Sequence, residues 1–303
     1  MDSREFISKA YDGNAFTTSE TTAGYINPEI WSKQLLEHEK AKLVVAPLGK
    51  QYTDLLDKPG DTLNVTVGVT PADAADVAES DDVSITAFEK TQVVFSPSER
   101  GAAYQLTNKE KSRSFIHLAA DMAMQLGYQL AAKKDTLAIS TIVAGAGNAV
   151  VSNGVDSSDL ASSDALDYED IVNGRGAIMK DKLTPKYLVV GSEGYVDLLK
   201  DDDFHENEKF VDSVAKTGYI GRISGLDVFW TTQIGVAANV QTNFILGEDG
   251  SGTPAFGIAQ KTNPYYEREK HALSRYEDIV AVEDYDIKVL RANAICTIKS
   301  YAA

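Results

Sequence analysis

The segment from residue 60 to residue 100 places the strongest limit on the folds open to this chain. In its first part, apolar residues alternate with polar residues or glycine, which is the period of a β-strand. The apolar positions are Leu63, Val65, Val67 and Val69. A second extended run, Val83 to Phe95, can pair back on the first. A two-stranded ribbon is only marginally stable in water by itself, so this ribbon must rest on another surface. Such an excursion is unusual in an enzyme and natural in a subunit of an assembly.

The strongest helical pattern in the chain follows this ribbon. Thr107 and Glu110 fit a capping box, in which each side chain bonds a backbone amide at the start of a helix. Apolar residues then recur at helical spacing from Phe115 to Leu137. A helix over Ser112–Ile142 would be about 45 Å long at about 1.5 Å per residue, and Gly127 interrupts the pattern without ending it.

The two flanks of this central part have different patterns. Residues 1–24 lack apolar periodicity and predict an extended arm, followed by a helix from Pro28 to about Leu43. From Tyr168 onward, short helices alternate with strands, including a strand at 186–190, a helix that Ser192 can cap, and two strands around Ser224 and Gly225. The last fifty residues predict strands at 255–260, 279–282 and 287–298.

Composition excludes several classes of protein. One cysteine cannot form an intrachain disulfide, the N-terminus lacks the apolar core of a signal peptide, and no run approaches the ~20 apolar residues of a membrane span. The net charge of −16 argues against tight binding to duplex nucleic acid, for which a concentrated basic surface is usual. We therefore expect a protein that is cytosolic or assembled in a cytosol, without a membrane partner.

Two glycine motifs invite an enzymatic interpretation, and neither meets its requirements. The run from Gly145 to Val150 follows a helical pattern and lacks the third glycine of a dinucleotide-binding loop, so it predicts the end of a helix. Ser192 lies between a strand and a helix, but Val190 stands where a nucleophile elbow needs glycine.

The remaining reactive side chains show no catalytic or metal-binding pattern. The four histidines are scattered at positions 38, 117, 205 and 271, and Cys296 lies in an alternating strand without an identifiable base. We therefore expect no catalytic, cofactor-binding or metal-binding residues, no cofactor and no enzymatic activity.

The order of these elements resembles a known family. An arm, a long β excursion, a long helix, an α/β segment and late returning strands resemble the major capsid protein of tailed bacteriophages, with the α+β fold named after phage Hong Kong 97. The run from Lys186 to Leu199 is similar to that family's strand and helix in the axial domain. Gly218–Val228 resembles its glycine-punctuated hairpin, and Phe256–Gln260 its peripheral strand.

The resemblance implies a division of the chain. Residues 1–26 would be the N-terminal arm, 27–59 and 101–165 the peripheral domain with its spine helix, and 60–100 the extension loop. The axial domain would be 166–250, and 251–303 would return as strands of the peripheral domain. Some relatives cross-link through a lysine of the extension loop, but residues 60–89 hold no lysine and Lys90 ends the excursion. We therefore expect no covalent cross-links. Some relatives also carry a long N-terminal scaffolding segment, whereas this sequence reaches the arm within a few residues of Met1, so we expect either a separate scaffold protein or no scaffold.

The function implied by the resemblance is mechanical. The chain would form pentamers and hexamers of an icosahedral shell around viral double-stranded DNA, held without sequence-specific contacts, with portal and decoration proteins as further partners. Its place would be the virion, after assembly in the host cytoplasm. Two alternatives stay open: an encapsulin-like nanocompartment shell that encloses a cargo protein, and an α/β enzyme of unknown reaction.

One subunit interface can be stated by residue. The acidic tip of the excursion is expected to dock on a basic surface of an adjacent subunit, although such a charge run is normally a solvated loop. The expected interface residues are Asp73, Asp76, Glu79, Asp81 and Asp82 at the tip, and Arg268, Lys270 and Arg275 opposite.

Overall fold

A computed structural model describes residues 43–56, 58–68, 76, 90–113, 118–200 and 219–302. The predicted arm, the helix after Pro28 and the polar stretch after Lys200 lie outside these residues. The described strands are β1 (Lys50–Tyr52), β2 (Leu63–Gly68), β3 (Lys90–Phe95), β4 (Ser98–Thr107), β5 (Asn148–Val151), β6 (Thr184–Val190), β7 (Tyr219–Ile223), β8 (Leu226–Trp230), β9 (Val236–Ala237), β10 (Val240–Glu248), β11 (Phe256–His271), β12 (Tyr276–Val289) and β13 (Ile295–Tyr301). The helices are α1 (Asn108–Arg113), α2 (Leu118–Ala144), α3 (Tyr168–Lys180) and α4 (Ser192–Lys200).

These strands form three sheets. Strands β2 and β3 pair only with each other, and a four-stranded sheet has the order β1-β11-β12-β4. The largest sheet has seven strands, in the order β5-β13-β10-β6-β8-β7 with β9 beside β10. Residues 251–303 contribute to two of these sheets: β11 and β12 lie in the four-stranded sheet, and β13 lies between β5 and β10.

The chain divides into two compact units. The first comprises Gly101–Gln129 and Tyr265–Val282, together with Met1–Glu39; the second comprises Lys40–Arg100, Leu130–Pro264 and Glu283–Ala303. The second unit holds the seven-stranded sheet, whose two faces bear separate apolar cores. Alternate residues of a strand point to opposite faces, so Val189 and Phe244 join one core while Leu188 and Ile245 join the other.

Each core is closed by helices that the sequence pattern predicted. Ala138, Ile139 and Ile142 of α2 pack into the first core, and Ile171 and Ile178 of α3 pack into the second. Met179, the next residue of α3 after Ile178, lies on another face of that helix. Its side chain is 52% exposed, because its position is turned about 100° from Ile178 around the helix.

The start of the long helical region has the predicted cap. The backbone amide of Thr107 donates to Oε2 of Glu110 at 3.0 Å, and the amide of Glu110 donates to Oγ1 of Thr107 at 3.2 Å. Helix α2 continues through Gly127 and ends at Ala144, immediately before the glycine turn. The amide of Gly147 then donates to the carbonyl of Ala292 at 2.8 Å, which joins that turn to the segment before β13.

Candidate subunit interface

The ribbon formed by β2 and β3 belongs to the second unit. One of its faces packs on the rest of that unit, and the other is open. The two strands pair antiparallel, from Leu63 opposite Phe95 to Gly68 opposite Lys90. Phe95 is fully buried, and its ring centroid lies 5.6 Å from that of Tyr52. Around it pack the apolar residues Leu63, Val65, Val67, Val93, Ala259 and Leu290.

The open face carries Asn64, Thr66 and Val94, and Val94 is 45% exposed. The expectation that the ribbon rests on another surface is met along one face and leaves the other available. While one face stays exposed to solvent, the ribbon buries only part of the apolar area that two covered faces would bury, and its stability is correspondingly low. This geometry suits a surface that a further protein chain completes.

Hydrogen bonds hold the root of the ribbon at both of its ends. The ammonium of Lys261 donates to the carbonyl of Gly60 at 2.6 Å and to the carboxylate of Asp61 at 3.2 Å. On the returning side, the amide of Ser96 donates to Oδ2 of Asp286 at 2.9 Å. Both ends of the ribbon are therefore fixed to β11 and β12.

A buried carboxylate fixes the chain segment that leads into the ribbon. Asp135 of α2 accepts hydrogen bonds from the amides of Val44 at 2.8 Å, Val45 at 3.1 Å and Ala46 at 2.7 Å. Asp135 is 2% exposed, and Ala46 opens a short 3-10 helix that precedes β1. The carboxylate thus plays the part of a capping side chain supplied from a distant helix.

A second buried cluster surrounds Tyr285 of β12. Two cations lie over its ring, with the guanidinium of Arg100 4.4 Å and the ammonium of Lys134 4.8 Å from the ring centroid. Lys134 also forms an ion pair with the buried Glu283. Burial raises the pKa of Tyr285 to about 12, so the phenol stays neutral and the cluster keeps one positive charge in excess.

The basic surface predicted at the end of the β11–β12 hairpin lies in the first unit. Arg268 and Lys270 are exposed, and both exert their charge on Glu277 of β12. The ammonium of Lys111 bonds to Oε2 of Glu277 at 3.0 Å. That hydrogen bond, helped by the charges of Lys111, Lys270 and Arg268, holds the pKa of Glu277 below its usual value. Lys111, Lys270 and Arg268 thus all act on one carboxylate, and these four side chains together carry a net positive charge.

Arg275, the third predicted base, contacts the residues of this region through hydrogen bonds of its backbone. It lies in the left-handed region at φ 58, donates its amide to the carbonyl of His271 at 2.8 Å, and accepts from the amide of Asn108 at 2.9 Å. Arg275 therefore shapes the turn beside the fully exposed Leu273. The structure brings Arg268 and Lys270 together and adds Lys111, which the sequence reasoning did not select because it lies about 160 positions away.

Of the five predicted acidic residues, the described part of the chain contains Asp76, which is exposed. Asp73, Glu79, Asp81 and Asp82 lie outside the described residues. The docking of this tip on Arg268, Lys270 and Arg275 stays a prediction.

Comparison with known proteins decides the family. A family model for phage capsid protein matches residues 89–303, which is more than two thirds of the chain. The chain belongs to the phage capsid protein family. No curated protein matches it.

Solved structures show the same fold for this capsid protein. The cyanophage Pam1 capsid is similar with a TM-score of 0.70 at 15% identity, covering 91% of this chain and 96% of that one. The capsid of a native GTA particle gives 0.67 at 14% identity, covering 96% and 99%, and Mycobacterium phage Che8 gives 0.65 at 18%, covering 89% and 96%. The predicted Hong Kong 97-type α+β fold and the identification as a major capsid protein are confirmed. This family is a component of the virion.

The glycine motifs of the capsid protein have structural roles. Gly145 donates its amide to the carbonyl of Thr141 at 3.0 Å, as the end of α2 requires. At the start of α4 the predicted cap by Ser192 is replaced: the amide of Gly194 donates to Oε1 of Gln241 at 2.7 Å, and the amide of Gly191 donates to Asn243 at 2.9 Å. The buried side-chain amides of Gln241 and Asn243 on β10 thus take the place of Ser192 as capping groups, because the helix begins directly against that strand.

Cys296 and His271, the reactive side chains of the capsid protein that the structure describes, both have structural roles. Burial raises the pKa of the Cys296 thiol to about 12, which leaves it protonated and unreactive at neutral pH. His271 lies against Tyr276, with ring centroids 4.5 Å apart, and its Nε2 is 3.1 Å from Asp278. Within the described ranges, no group of three or more His, Cys, Asp or Glu side chains could hold a metal ion. Among the helices described, none is long and apolar enough to cross a bilayer.

Proposed function

We propose that this capsid protein assembles into pentamers and hexamers of an icosahedral shell that encloses packaged double-stranded DNA without sequence-specific contacts. The observation that carries the proposal is the ribbon, whose root is fixed to β11 and β12 and one face of which is open. Wrapping such a ribbon on a neighbouring copy would bury that face, so assembly and completion of the fold are coupled. The subunit acts mechanically, without a catalytic step of its own.

In this proposal each part of the chain has a mechanical task. Residues 1–26 form the N-terminal arm, 60–100 the extension loop, and 166–250 the axial domain. Residues 27–59, 101–165 and 251–303 form the peripheral domain, and α2 is its spine helix. The net charge of −16 suits a shell that must hold dense DNA without binding it tightly. Assembly takes place in the host cytoplasm, with a separate scaffold protein where one is needed, and with portal and decoration proteins as partners.

Negative-stain microscopy and light scattering of the purified protein test this function. We expect closed particles, and nucleic acid inside those recovered from infected cells. A chain that remained a 32.8 kDa monomer under all assembly conditions, with scaffold supplied, would refute the shell. Particles that hold a cargo protein and no DNA would refute the viral assignment and favour a nanocompartment.

We further propose that the acidic tip docks on the basic patch of an adjacent subunit. The tip carries five carboxylates within ten residues. The patch presents Lys111, Arg268 and Lys270 around Glu277, with Arg275 at the neighbouring turn. Exposed ion pairs contribute only about 0–1 kcal/mol each. Repetition over the many copies of a shell nevertheless makes assembly sensitive to their sum.

The docking is tested by neutralising the tip with Asp76→Asn, Glu79→Gln and Asp81→Asn in one variant. We expect lower assembly yield and lower particle melting temperature, most clearly at low salt, because screening has a range of about 10 Å at 0.1 M salt. The matched control neutralises three carboxylates elsewhere, Asp156→Asn, Asp159→Asn and Glu169→Gln. Equal yields for both variants across the salt series would reject the docking and leave the tip a solvated loop.

A further inference from the structure

The sequence contains two Asn-Gly pairs, and the structure places them in opposite chemical situations. Asn153 and Gly154 lie in an exposed loop, whereas Asn173 and Gly174 lie inside helix α3. Glycine after asparagine leaves its backbone nitrogen unhindered, which is the condition for attack on the asparagine side chain. We propose that Asn153 is a self-modification site of the folded subunit, converting to aspartate and isoaspartate, and that Asp164 restrains the reaction.

The reaction needs no group beyond water. The backbone nitrogen of Gly154 gives up its proton to solvent and forms a bond with Cγ of Asn153. The Cγ–Nδ2 bond breaks, and the nitrogen leaves as ammonia after taking a proton. Water then opens the resulting five-membered imide at one of its two carbonyls, which gives aspartate or isoaspartate with no change in oxidation state.

The backbone at Asn153 is already in an uncommon conformation. Both residues have positive φ, 55 at Asn153 and 66 at Gly154, and Asn153 has ψ 12. Ring closure requires rotation about ψ of Asn153 so that the Gly154 nitrogen faces the side chain. A Cβ placed on Gly154 would meet no atom within 4 Å, so the space beside this glycine is open. The loop therefore needs only a local opening to reach the reactive geometry.

Asp164 opposes that opening. Nδ2 of Asn153 donates to Oδ1 of Asp164 at 2.9 Å and to the carbonyl of Ser163 at 3.4 Å. Asp164 is itself held, because it accepts from the amide of Ala161 at 2.8 Å and its carbonyl accepts from the amide of Tyr301 at 2.8 Å. These donors lower the pKa of Asp164, with the Ala161 amide as the largest cause and Asn153 next. The side chain that must rotate is thus tied to an ionised carboxylate anchored on β13.

The second Asn-Gly pair is an internal control. Gly174 is buried, and a Cβ there would lie 3.0 Å from Ile245 and 3.2 Å from Ile298. Its backbone lies in the interior of α3, so the rotation required for ring closure would break the helix against the second core. Packing of the helix therefore protects Asn173 from ring closure. At Asn153, by contrast, only two hydrogen bonds oppose it.

Modification would change the loop electrostatically. The product places a carboxylate where an amide donor had faced Asp164, so two like charges meet and one anchor to β13 is weakened. Every copy in a shell carries the site. The modified fraction therefore rises with the age of the particle and loosens residues 152–167 in the same proportion.

The test is peptide mass spectrometry of full-length folded protein aged in mildly alkaline buffer at physiological temperature. Both asparagines lie between Lys134 and Arg175, hence in one tryptic peptide, so an endoproteinase that cleaves before Asp is used to separate them. We expect conversion at Asn153 and none at Asn173 over the same period. Asp164→Asn should accelerate conversion by about tenfold, as expected for the loss of about 1.4 kcal/mol of restraint, whereas Asp159→Asn in the same loop should not.

Two results would overturn the proposal. One is conversion at Asn153 no faster than at Asn173, while a synthetic peptide of residues 150–157 converts. The other is an Asp164→Asn variant that folds and reacts at the wild-type rate. If that variant does not fold, the melting temperatures of Asn153→Asp and Asn153→Ala decide the matter: the aspartate should be the less stable of the two, and the difference should disappear in acid. Equal stability of the two variants at neutral pH would contradict the role given to Asp164.

Discussion

Replacement of Asp135 by asparagine should destabilise the capsid subunit by several kcal/mol. The substitution keeps the size of the side chain and one of its two acceptor oxygens. In the native subunit Oδ1 accepts from Val45 and Ala46, and Oδ2 accepts from Val44 at 2.8 Å. An asparagine can keep the first oxygen in place, but its NH₂ group then faces the Val44 amide, donor against donor.

The magnitude follows from these contacts. A hydrogen bond to a charged group contributes about 1.5–3 kcal/mol, and a buried donor left without an acceptor costs about 1–3 kcal/mol. The substitution removes the hydrogen bond from the Val44 amide and leaves that amide without an acceptor. The hydrogen bonds from Val45 and Ala46 remain, but their acceptor is no longer charged. Relief from holding a buried charge offsets part of this loss. The expected net decrease in the free energy of unfolding is about 3 kcal/mol.

The assay is urea unfolding of the purified subunit, followed by tryptophan fluorescence, with hydrogen exchange at residues 44–46. Asp121→Asn on the same helix is the matched control. Asp121 accepts a hydrogen bond from Gln125 at 3.1 Å at a partly exposed position, and its replacement should cost under about 1 kcal/mol. Equal stability of the two variants, with unchanged exchange at residues 44–46, would refute the reasoning.

Three further outcomes are expected. Burial raises the pKa of Asp170, so its contribution to stability is full below the unfolded value of 3.8 and is lost as pH rises through the folded value. Asp170→Asn, which still accepts from Ser152, should therefore raise the free energy of unfolding at neutral pH and change nothing in strong acid; a loss at neutral pH would contradict this. Gly191→Ala should cost about 1–3 kcal/mol, because its Cβ would lie 2.3 Å from Nε2 of the buried Gln241, whereas Gly235→Ala, with open space around it, should be tolerated in the same thermal melt. Denaturing gels of mature particles should show one monomer band, since residues 60–89 hold no lysine; a ladder of multimers would disprove the absence of cross-links.

Local patterns determined much of the fold because their physical causes are local. The capping box at Thr107 and Glu110, the antiparallel pairing of β2 with β3 and the helix after the β6 strand are all confirmed. Each depends on residues close in sequence or on the period of one strand. The exclusion of a dinucleotide loop at Gly145 followed from the same kind of evidence, since the preceding segment has helical spacing.

Only the tertiary structure decided the features that join distant residues. Val44 and Asp135 are 91 positions apart, and no periodicity in the sequence marks the aspartate as a cap for another segment. The amides of Gln241 and Asn243 replaced the cap expected from Ser192, and Lys111 joined the basic patch, because side chains satisfy buried donors and charges with whatever partner the fold brings within 3 Å. The sequence alone determined the elements and, through their order, the family; which polar side chains meet was decided by packing, since hydrogen bonds and charges depend on distance in space and not along the chain.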